Sequence, residues 1–231
     1  MEAMPVPEPS QPRAMRGLFL TLDGPDGGGK TTQAAHLAAW LRARGREVVT
    51  CRDPGGTPLG DRLRAILLDR STIEISLRAE MLLYMASRAQ LVEDVIRPAL
   101  DAGRVVVSDR FLLANIAYQG AAGGLPVDQV AQVGQAATGG LWPDLTLILD
   151  VPPETARARV GPARDRIEDR PAAYHARVRA GFLRAARESQ GGGCSYYPAP
   201  IVVIDASADP DTVAERIRSE VERALALDSR S

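Results

Sequence analysis

The sequence is poor in several residue types, and each shortage excludes a class of protein. Only two cysteines occur among 231 residues, and they lie too far apart to suggest a disulfide framework or a metal site. No apolar run approaches the roughly 20 residues that span a bilayer. A formal net charge of −1 argues against a protein that coats nucleic acid. We therefore expect a cytoplasmic protein that binds neither membranes nor nucleic acid.

Lysine is the scarcest basic residue, since Lys30 is the only lysine among 28 Lys and Arg residues. It lies in the segment GPDGGGKTT, where Gly24, Gly29, Lys30 and Thr31 match the pattern G-x-x-x-x-G-K-S/T. An apolar run precedes this segment and a helical pattern follows it. A strand, a glycine turn and a helix in this order predict a P-loop.

A P-loop binds phosphate because backbone N–H groups and the positive end of a helix point into one concavity. Lys30 is expected to reach the β and γ phosphates of a nucleotide, and the Thr31 hydroxyl to ligate Mg²⁺. A nucleotide and Mg²⁺ are therefore the ligands predicted for this loop. The predicted nucleotide-binding residues are Gly24, Asp26, Gly27, Gly28, Gly29, Lys30, Thr31 and Thr32.

Apolar runs alternate with helical stretches along the chain, which predicts an α/β fold: a P-loop NTPase three-layer sandwich with helices on both faces of a five-stranded parallel sheet. The predicted strands are 17–23, 47–51, 104–108, 144–150 and 200–205. The predicted helices lie near 30–45, 58–69, 77–101, 111–120, 126–138, 153–160, 171–190 and 210–227. We expect a single domain over 17–227, a disordered proline-rich tail at 1–16 and a short tail at 228–231.

Unusual polar residues follow the first three predicted strands. Asp23 and the P-loop follow the first, Arg52 and Asp53 the second, and Asp109 and Arg110 the third. Because ligands bind at the carboxyl ends of parallel strands, these residues are expected to share one site. The arginine-rich segment 157–170 is compatible with a solvated helix face and loop, but beside a P-loop it favours a short lid at about 160–170.

The P-loop alone leaves several enzyme classes open. A GTPase usually carries an Asn-Lys-x-Asp motif. This chain cannot contain that motif, because its only lysine lies in the P-loop. Larger ATPase machines need a longer chain. A kinase acting on a small phosphorylated acceptor remains.

Several segments together resemble the thymidylate kinase family: RDPGGTPLGDRLRAILL (52–68), LLYMASRAQ (82–90), SDRFLLANIAYQG (108–120) and DRIE (165–168), besides the P-loop. The resemblance extends from about residue 17 to 227. It implies that the protein converts ATP and dTMP into ADP and dTDP with Mg²⁺, as a homodimer.

The resemblance also implies roles for individual residues. Arg64 and Arg110 would grip the acceptor phosphate, where the arginine fork suits two oxygens. Asp109 would lie near Mg²⁺ together with Thr31, and Lys30 and Asp109 would belong to the catalytic set. The remaining substrate-binding assignments are Asp26 on the sugar 3′-hydroxyl, Tyr84 stacked on thymine, Arg88 and Asn115 on the edge of the base, and Tyr118 against the sugar 2′ position.

The catalytic arginine is expected in the lid, because Gly27 occupies the P-loop position where some family members have it. Arg166 is the first candidate and Arg164 the second. The chain departs from the usual family pattern at Asp53, Phe111 and Ala114. Two alternatives stay open: a kinase for another nucleoside monophosphate or a deoxynucleoside, and a regulatory protein that binds ATP without phosphorylating an acceptor.

Overall fold

The computed structural model describes residues 17–70, 73–159, 165–191 and 194–228. Its five strands form one parallel sheet in the order β2-β3-β1-β4-β5. The strands are β1 (Leu18–Asp23), β2 (Val48–Arg52), β3 (Val105–Asp109), β4 (Leu145–Asp150) and β5 (Ile201–Asp205). The predicted fold class is thus confirmed, and each strand begins one residue later than predicted.

Helices join consecutive strands and cover both faces of the sheet. Their bounds are α1 (Lys30–Ala43), α2 (Pro58–Leu68), α3 (Leu77–Leu91), α4 (Arg97–Asp101), α5 (Leu112–Asn115), α6 (Val127–Thr138), α7 (Pro153–Arg159), α8 (Ala172–Gln190) and α9 (Pro210–Asp228). Side chains cap two of the helices next to the site: the Thr57 hydroxyl accepts from Gly60 N at the start of α2, and the Ser76 hydroxyl accepts from Ala79 N at the start of α3.

The predictions of continuous helices over 77–101 and 111–120 are wrong in detail. A π-helical turn, Val92–Ile96, separates α3 from α4, and another, Ile116–Ala122, follows α5. A π-helical turn takes more residues per turn than an α-helix, so the apolar spacing in the sequence barely registers it. The second turn carries Tyr118, which the sequence assigned to the acceptor site.

The core consists of two apolar layers, one on each face of the sheet. Phe19 of β1 packs with Phe111, Phe182 and the helices α3, α6 and α8 on one face. Leu20 and Leu22 pack with α1 and α9 on the other. Because β1 is buried on both faces, its sequence is a nearly continuous apolar run.

The sheet order brings the first three strand ends together, as predicted. In the parallel register Asp109 at the end of β3 lies beside Leu22 of β1 and Arg52 of β2. Cys51 and Cys194 are both free thiols, as the sequence indicated. None of the helices in the described parts of the chain combines the length and apolar composition needed to cross a bilayer. The predicted tail at 1–16 and the last residues, 229–231, lie outside the described residues.

Candidate functional site

The predicted P-loop runs from the end of β1 to the start of α1. Gly24, Gly27 and Gly29 have φ of 128°, 78° and 83°, values that side-chain-bearing residues rarely adopt. A Cβ on Gly24 would lie 2.5 Å from the Leu149 carbonyl oxygen, and one on Gly27 would lie 2.3 Å from the Ala156 carbonyl oxygen. Glycine is therefore required at these two positions by both conformation and space.

Lys30 is the first residue of α1 and is 7% exposed. Its Nζ donates to the Pro25 carbonyl oxygen at 2.7 Å, so the ammonium group lies inside the loop. Burial, with a further contribution from Arg110, lowers the pKa of Lys30 to about 8. Gly28 N donates to the same carbonyl at 3.3 Å, and Thr31 and Thr32 are exposed on the first turn of α1. The loop thus encloses one buried cation.

Thr31 and Asp109, the two predicted metal ligands, are brought into contact. The Thr31 hydroxyl donates to Asp109 Oδ2 at 2.6 Å. Next to them, Asp23 is completely buried, and neither of its carboxylate oxygens has a hydrogen-bond partner among the described residues. Burial raises the pKa of Asp23 to about 6, although Arg110 and Lys30 act in the opposite direction.

A cavity adjoins the P-loop through Asp26, and all seven predicted substrate-binding residues line it. These residues are Asp26, Arg64, Tyr84, Arg88, Arg110, Asn115 and Tyr118. They come from the P-loop, α2, α3, the end of β3, α5 and the π-helical turn that follows. The cavity also contains residues that the sequence did not assign, among them Asp53, Gln119 and Asp165.

Asp26 is held by two partners in this cavity. Its Oδ1 accepts from the Arg110 guanidinium, and its Oδ2 accepts from the Tyr118 hydroxyl at 2.8 Å. Burial alone would raise the pKa of Asp26, but Arg110, Lys30 and the Tyr118 hydroxyl outweigh it and hold the pKa below its usual value. Arg110 also donates to the Gly24 carbonyl oxygen at 2.8 Å, which ties the cavity to the P-loop.

Arg88 is almost fully buried, with 1% of its side chain exposed. Its Nε donates to Asp53 Oδ2 at 2.5 Å, and its Nη2 donates to Asn115 Oδ1 at 2.6 Å and to the Phe111 carbonyl oxygen at 3.2 Å. These bonds fix the guanidinium plane at one end of the cavity. Arg64 donates to the Pro54 carbonyl oxygen at 3.1 Å, close to the same ion pair.

The lid residues fall partly outside the described residues, since 160–164, including Arg164, are not among them. From Asp165 onward the chain is tightly turned, because Asp165 Oδ1 accepts from the backbone N–H groups of Ile167 and Glu168. Arg166 Nε donates to the Leu67 carbonyl oxygen at 2.9 Å, and its Nη2 lies 2.7 Å from Glu80 Oε2. Arg166 is thus directed towards α2 and α3 in this conformation.

Three buried polar residues at or beside the cavity had no role predicted from the sequence: Gln119, Glu80 and Asp53. Gln119 is four residues after Asn115, and this helical spacing within 108–120 indicates that the two side chains lie on the same face. Glu80 lies four residues before Tyr84 and eight before Arg88, on the same face of α3. Asp53 was expected at the site as a strand-end residue and differs from the family pattern, but no role was predicted for it. No local sequence motif indicates that these side chains are buried and hydrogen-bonded.

The chain was compared with known proteins. The family model described as Thymidylate kinase matches residues 22–217. A thymidylate kinase of Leifsonia xyli subsp. xyli is 46% identical over 216 residues, which cover 92% of this chain and 98% of that protein. A thymidylate kinase of Deinococcus radiodurans is 45% identical, with coverages of 89% and 97%. The crystal structure of the Ehrlichia chaffeensis thymidylate kinase superposes with a TM-score of 0.68 at 27% identity, covering 89% of this chain and 99% of that chain.

Proposed function

The chain belongs to the thymidylate kinase family, and we propose that it transfers the γ-phosphoryl group of ATP to the phosphate of dTMP, giving ADP and dTDP. One observation carries the proposal: the seven residues assigned to the acceptor line a single cavity that shares Asp26 with the P-loop. A kinase for a nucleoside monophosphate needs two adjoining anion sites, one for each nucleotide. A protein that only bound ATP would have no use for the second.

On the donor side, we assign the P-loop to the phosphates of ATP. The backbone N–H groups of the loop and of the start of α1 supply positive partial charge. Lys30, already enclosed by the loop, supplies a full charge that is compact and flexible. Together these groups would orient the γ-phosphoryl group and stabilise the negative charge that spreads over its oxygens during transfer.

The donor set at Thr31 and Asp109 fits Mg²⁺, which prefers oxygen ligands and is usually bound by one or two carboxylates together with substrate phosphates. No group of three or more His, Cys, Asp or Glu side chains within the described residues is arranged to hold a metal by itself. A site completed by the nucleotide matches this sparse set. When bound, the ion neutralises phosphate charge, and Thr31 and Asp109 are the residues that would hold it.

On the acceptor side, Arg64 and Arg110 are assigned to the dTMP phosphate. A phosphate oxygen of dTMP would attack the γ-phosphorus in line while the bond from that phosphorus to the β,γ-bridging oxygen breaks. The attacking group is already anionic, so the chain needs no general base. Asp26, kept ionised by Arg110 and Tyr118, is suited to accept a hydrogen bond from the sugar 3′-hydroxyl.

The opposite end of the cavity is assigned to the base. Tyr84 supplies an aromatic ring, and Arg88 and Asn115 supply a donor and an amide beside it. Gln119 adds a second amide. The Tyr118 ring packs near the Asp26 end, where it would crowd a 2′-hydroxyl and disfavour ribonucleotides.

Arg166 is assigned to the transferred phosphoryl group. Because Glu80 and the Leu67 carbonyl oxygen now engage its guanidinium, this role requires Arg166 to leave them when the lid closes. We expect Arg166→Ala to lower kcat far more than it weakens dTMP binding, as measured by steady-state kinetics and calorimetry. Arg164→Ala is the matched comparison, and an unchanged kcat in Arg166→Ala would remove Arg166 from the mechanism.

The function is tested by measuring ADP formation from ATP and Mg²⁺ with dTMP, dUMP, dCMP, dGMP, dAMP, UMP or thymidine, each alone, beside a reaction without acceptor. We expect dTMP to be the best acceptor, dUMP a weak one and UMP inactive. A preference for another monophosphate would keep the phosphoryl-transfer site and discard the base assignments. ADP release that is independent of acceptor would contradict the kinase proposal.

We further propose that the protein is a cytoplasmic homodimer. Large apolar side chains are exposed on α2, on α3 and on the segment between them: Leu59, Ile66, Ile73 and Leu82, each at least 46% exposed. Because α2 and α3 pack against each other, these side chains are suited to meet the same face of a second copy. Light scattering that found a monomer at working concentration would contradict the dimer.

A further inference from the structure

Glu80 on α3 is a buried carboxylate with two arginine partners at one of its oxygens. Its side chain is 0% exposed. Its Oε2 accepts from Arg170 Nη2 at 2.6 Å, and Arg166 Nη2 lies 2.7 Å from the same oxygen. Its Oε1 accepts from Gln119 Nε2 at 2.8 Å. Two guanidinium charges therefore face one carboxylate charge that is enclosed by the protein.

The two arginines are bound to Glu80 in different ways. Arg170 donates a hydrogen bond to it, and the Arg170 guanidinium also lies over the Tyr174 ring of α8, 4.5 Å from the ring centroid. Arg166 Nη2 is buried and makes no hydrogen bond of acceptable geometry with any atom of the described residues. Arg166 is held instead through its Nε, which donates to the Leu67 carbonyl oxygen at 2.9 Å. Arg166 is thus the partner of Glu80 that is more easily displaced.

The cost of displacing Arg166 depends on what remains at Glu80. If Arg166 leaves, Glu80 keeps Arg170, and the buried carboxylate stays paired with one cation. Without Arg170, the same departure would leave the carboxylate with only the amide of Gln119. Removing one partner of a buried ion pair is strongly unfavourable, because the remaining charge is not compensated. Arg170 therefore determines how readily Glu80 releases Arg166.

We propose that Arg170 is a positioning residue for phosphoryl transfer, because it keeps Glu80 paired and so allows Arg166 to leave Glu80 for the transferred group. This inference rests on the proposed function, in which Arg166 acts on that group. Bound phosphates draw Arg166 away only if their attraction exceeds the cost of its release. Arg170 lowers that cost without touching either nucleotide.

The first variant is Arg170→Met, which removes the charge and keeps an unbranched side chain. Single-turnover formation of ADP with saturating ATP, Mg²⁺ and dTMP measures the transfer step free of product release. We expect this rate to fall roughly tenfold or more, because Glu80 then retains Arg166. The Kd for dTMP should stay within about twofold of the wild-type value, since Arg170 does not line the acceptor cavity.

The second variant, Glu80→Gln, tests whether Arg170 acts through Glu80. A glutamine at this position can still accept from Gln119 but has no charge to leave unpaired. In the Glu80→Gln protein, adding Arg170→Met should therefore change the single-turnover rate by less than about twofold. An Arg170 that acted directly on a nucleotide would give the same fall in rate with glutamate or glutamine at position 80.

Arg184→Met is the matched control, because it removes an exposed arginine of α8 whose ion-pair partner, Glu188, lies on the same helix. Its single-turnover rate should equal that of the wild type, which excludes an effect of net charge. If Arg170→Met does not fold, Arg170→Gln takes its place. Glutamine can still donate a hydrogen bond to Glu80 but carries no charge, so the same fall in rate is expected.

A rate for the folded Arg170 variant within about twofold of the wild type would overturn the proposal. An equal fall in rate in the wild-type and Glu80→Gln backgrounds would also overturn it, because the effect would then not pass through Glu80. Both of these results leave the proposed function intact. Absence of dTMP-dependent ADP formation by the wild-type protein would instead contradict the proposed function, and the role of Arg170 would fall with it.

Discussion

Asp23→Asn should stabilise the folded protein at neutral pH and do so less in acid. Asp23 ends β1, is fully buried, and has no hydrogen-bond partner for either oxygen among the described residues. Burial raises its pKa from 3.8 to about 6, although Arg110, Lys30 and Arg88 favour the ionised form. The folded protein therefore holds this proton more tightly than the unfolded chain. The contribution of Asp23 to the free energy of unfolding is fully present below pH ~4 and is lost as the pH rises through about 6.

The size of the effect follows from the two pKa values. The raised pKa of Asp23 lowers the free energy of unfolding by about 3 kcal/mol at pH 7, by about half of that at pH 5 and by only a small fraction of it at pH 4. Asparagine has nearly the same shape as the protonated acid and cannot ionise. The free energy of unfolding of Asp23→Asn should therefore exceed that of the wild type by about these amounts.

Urea unfolding at pH 7, 5 and 4 measures these differences, provided that the m-value is the same in both proteins. Asp150→Asn is the matched control, since Asp150 ends β4 and accepts two hydrogen bonds from Arg179, both of 2.7 Å. Its replacement should destabilise the protein, the opposite sign. An Asp23→Asn variant that is less stable than the wild type at pH 7, or whose advantage does not shrink in acid, would refute the reasoning.

Two further predictions concern the P-loop. The pKa of Lys30 is about 8 in the ligand-free protein and should rise when phosphates bind. The Kd for ATP should therefore increase above pH ~8, by up to tenfold per pH unit. Calorimetry that gave equal Kd values at pH 7 and 9.5 would contradict this prediction. Gly27→Ala should lower the melting temperature more than Gly29→Ala, since both residues have positive φ but only Gly27 lacks room for a Cβ, with the Ala156 carbonyl oxygen at 2.3 Å. Equal shifts in thermal unfolding would show that the contact with Ala156 has no effect.

Much of the fold was predictable from the sequence because the strands are buried on both faces. Such strands form apolar runs bounded by polar residues, so their limits were predicted to within one residue. The two π-helical turns were not, because an extra residue in a turn leaves the apolar spacing almost unchanged. The resulting error in the predicted helices is local, but it affects the candidate site, because one of these turns carries Tyr118 and Gln119.

The candidate site was predictable where motifs identify it, as at Lys30 and Arg110. The pairings that hold Arg88 and Gln119 could not be predicted from local motifs, because each joins distant segments of the chain. Asp53 and Arg88 are 35 residues apart in the chain, and Gln119 and Glu80 are 39 apart. Only the packing of α3 against the π-helical turn after α5 brings the latter pair into contact. A local pattern cannot report a hydrogen bond that the tertiary fold creates.

The ends of β1 and β3 carry two unfavourable features side by side. Asp23 is ionised in a buried position above pH ~6, and Arg110 is the only residue other than glycine with a positive φ among the described residues, at 70°. A left-handed conformation at such a residue costs about 1–3 kcal/mol. Arg110 keeps it because its N–H donates to the Leu22 carbonyl oxygen and its guanidinium contacts Gly24 and Asp26.

Both features lie beside the P-loop, where a fold optimised for stability alone would have neither. If the Asp23 carboxylate serves phosphoryl transfer, Asp23→Asn should gain stability at pH 7 and lose kcat in the same preparation. Measuring unfolding and dTMP-dependent turnover together decides between a functional and an incidental charge. A variant that gained stability with kcat unchanged would show that the buried carboxylate contributes nothing to the reaction. The backbone strain at Arg110 would then be the only one of the two unfavourable features still attributable to catalysis.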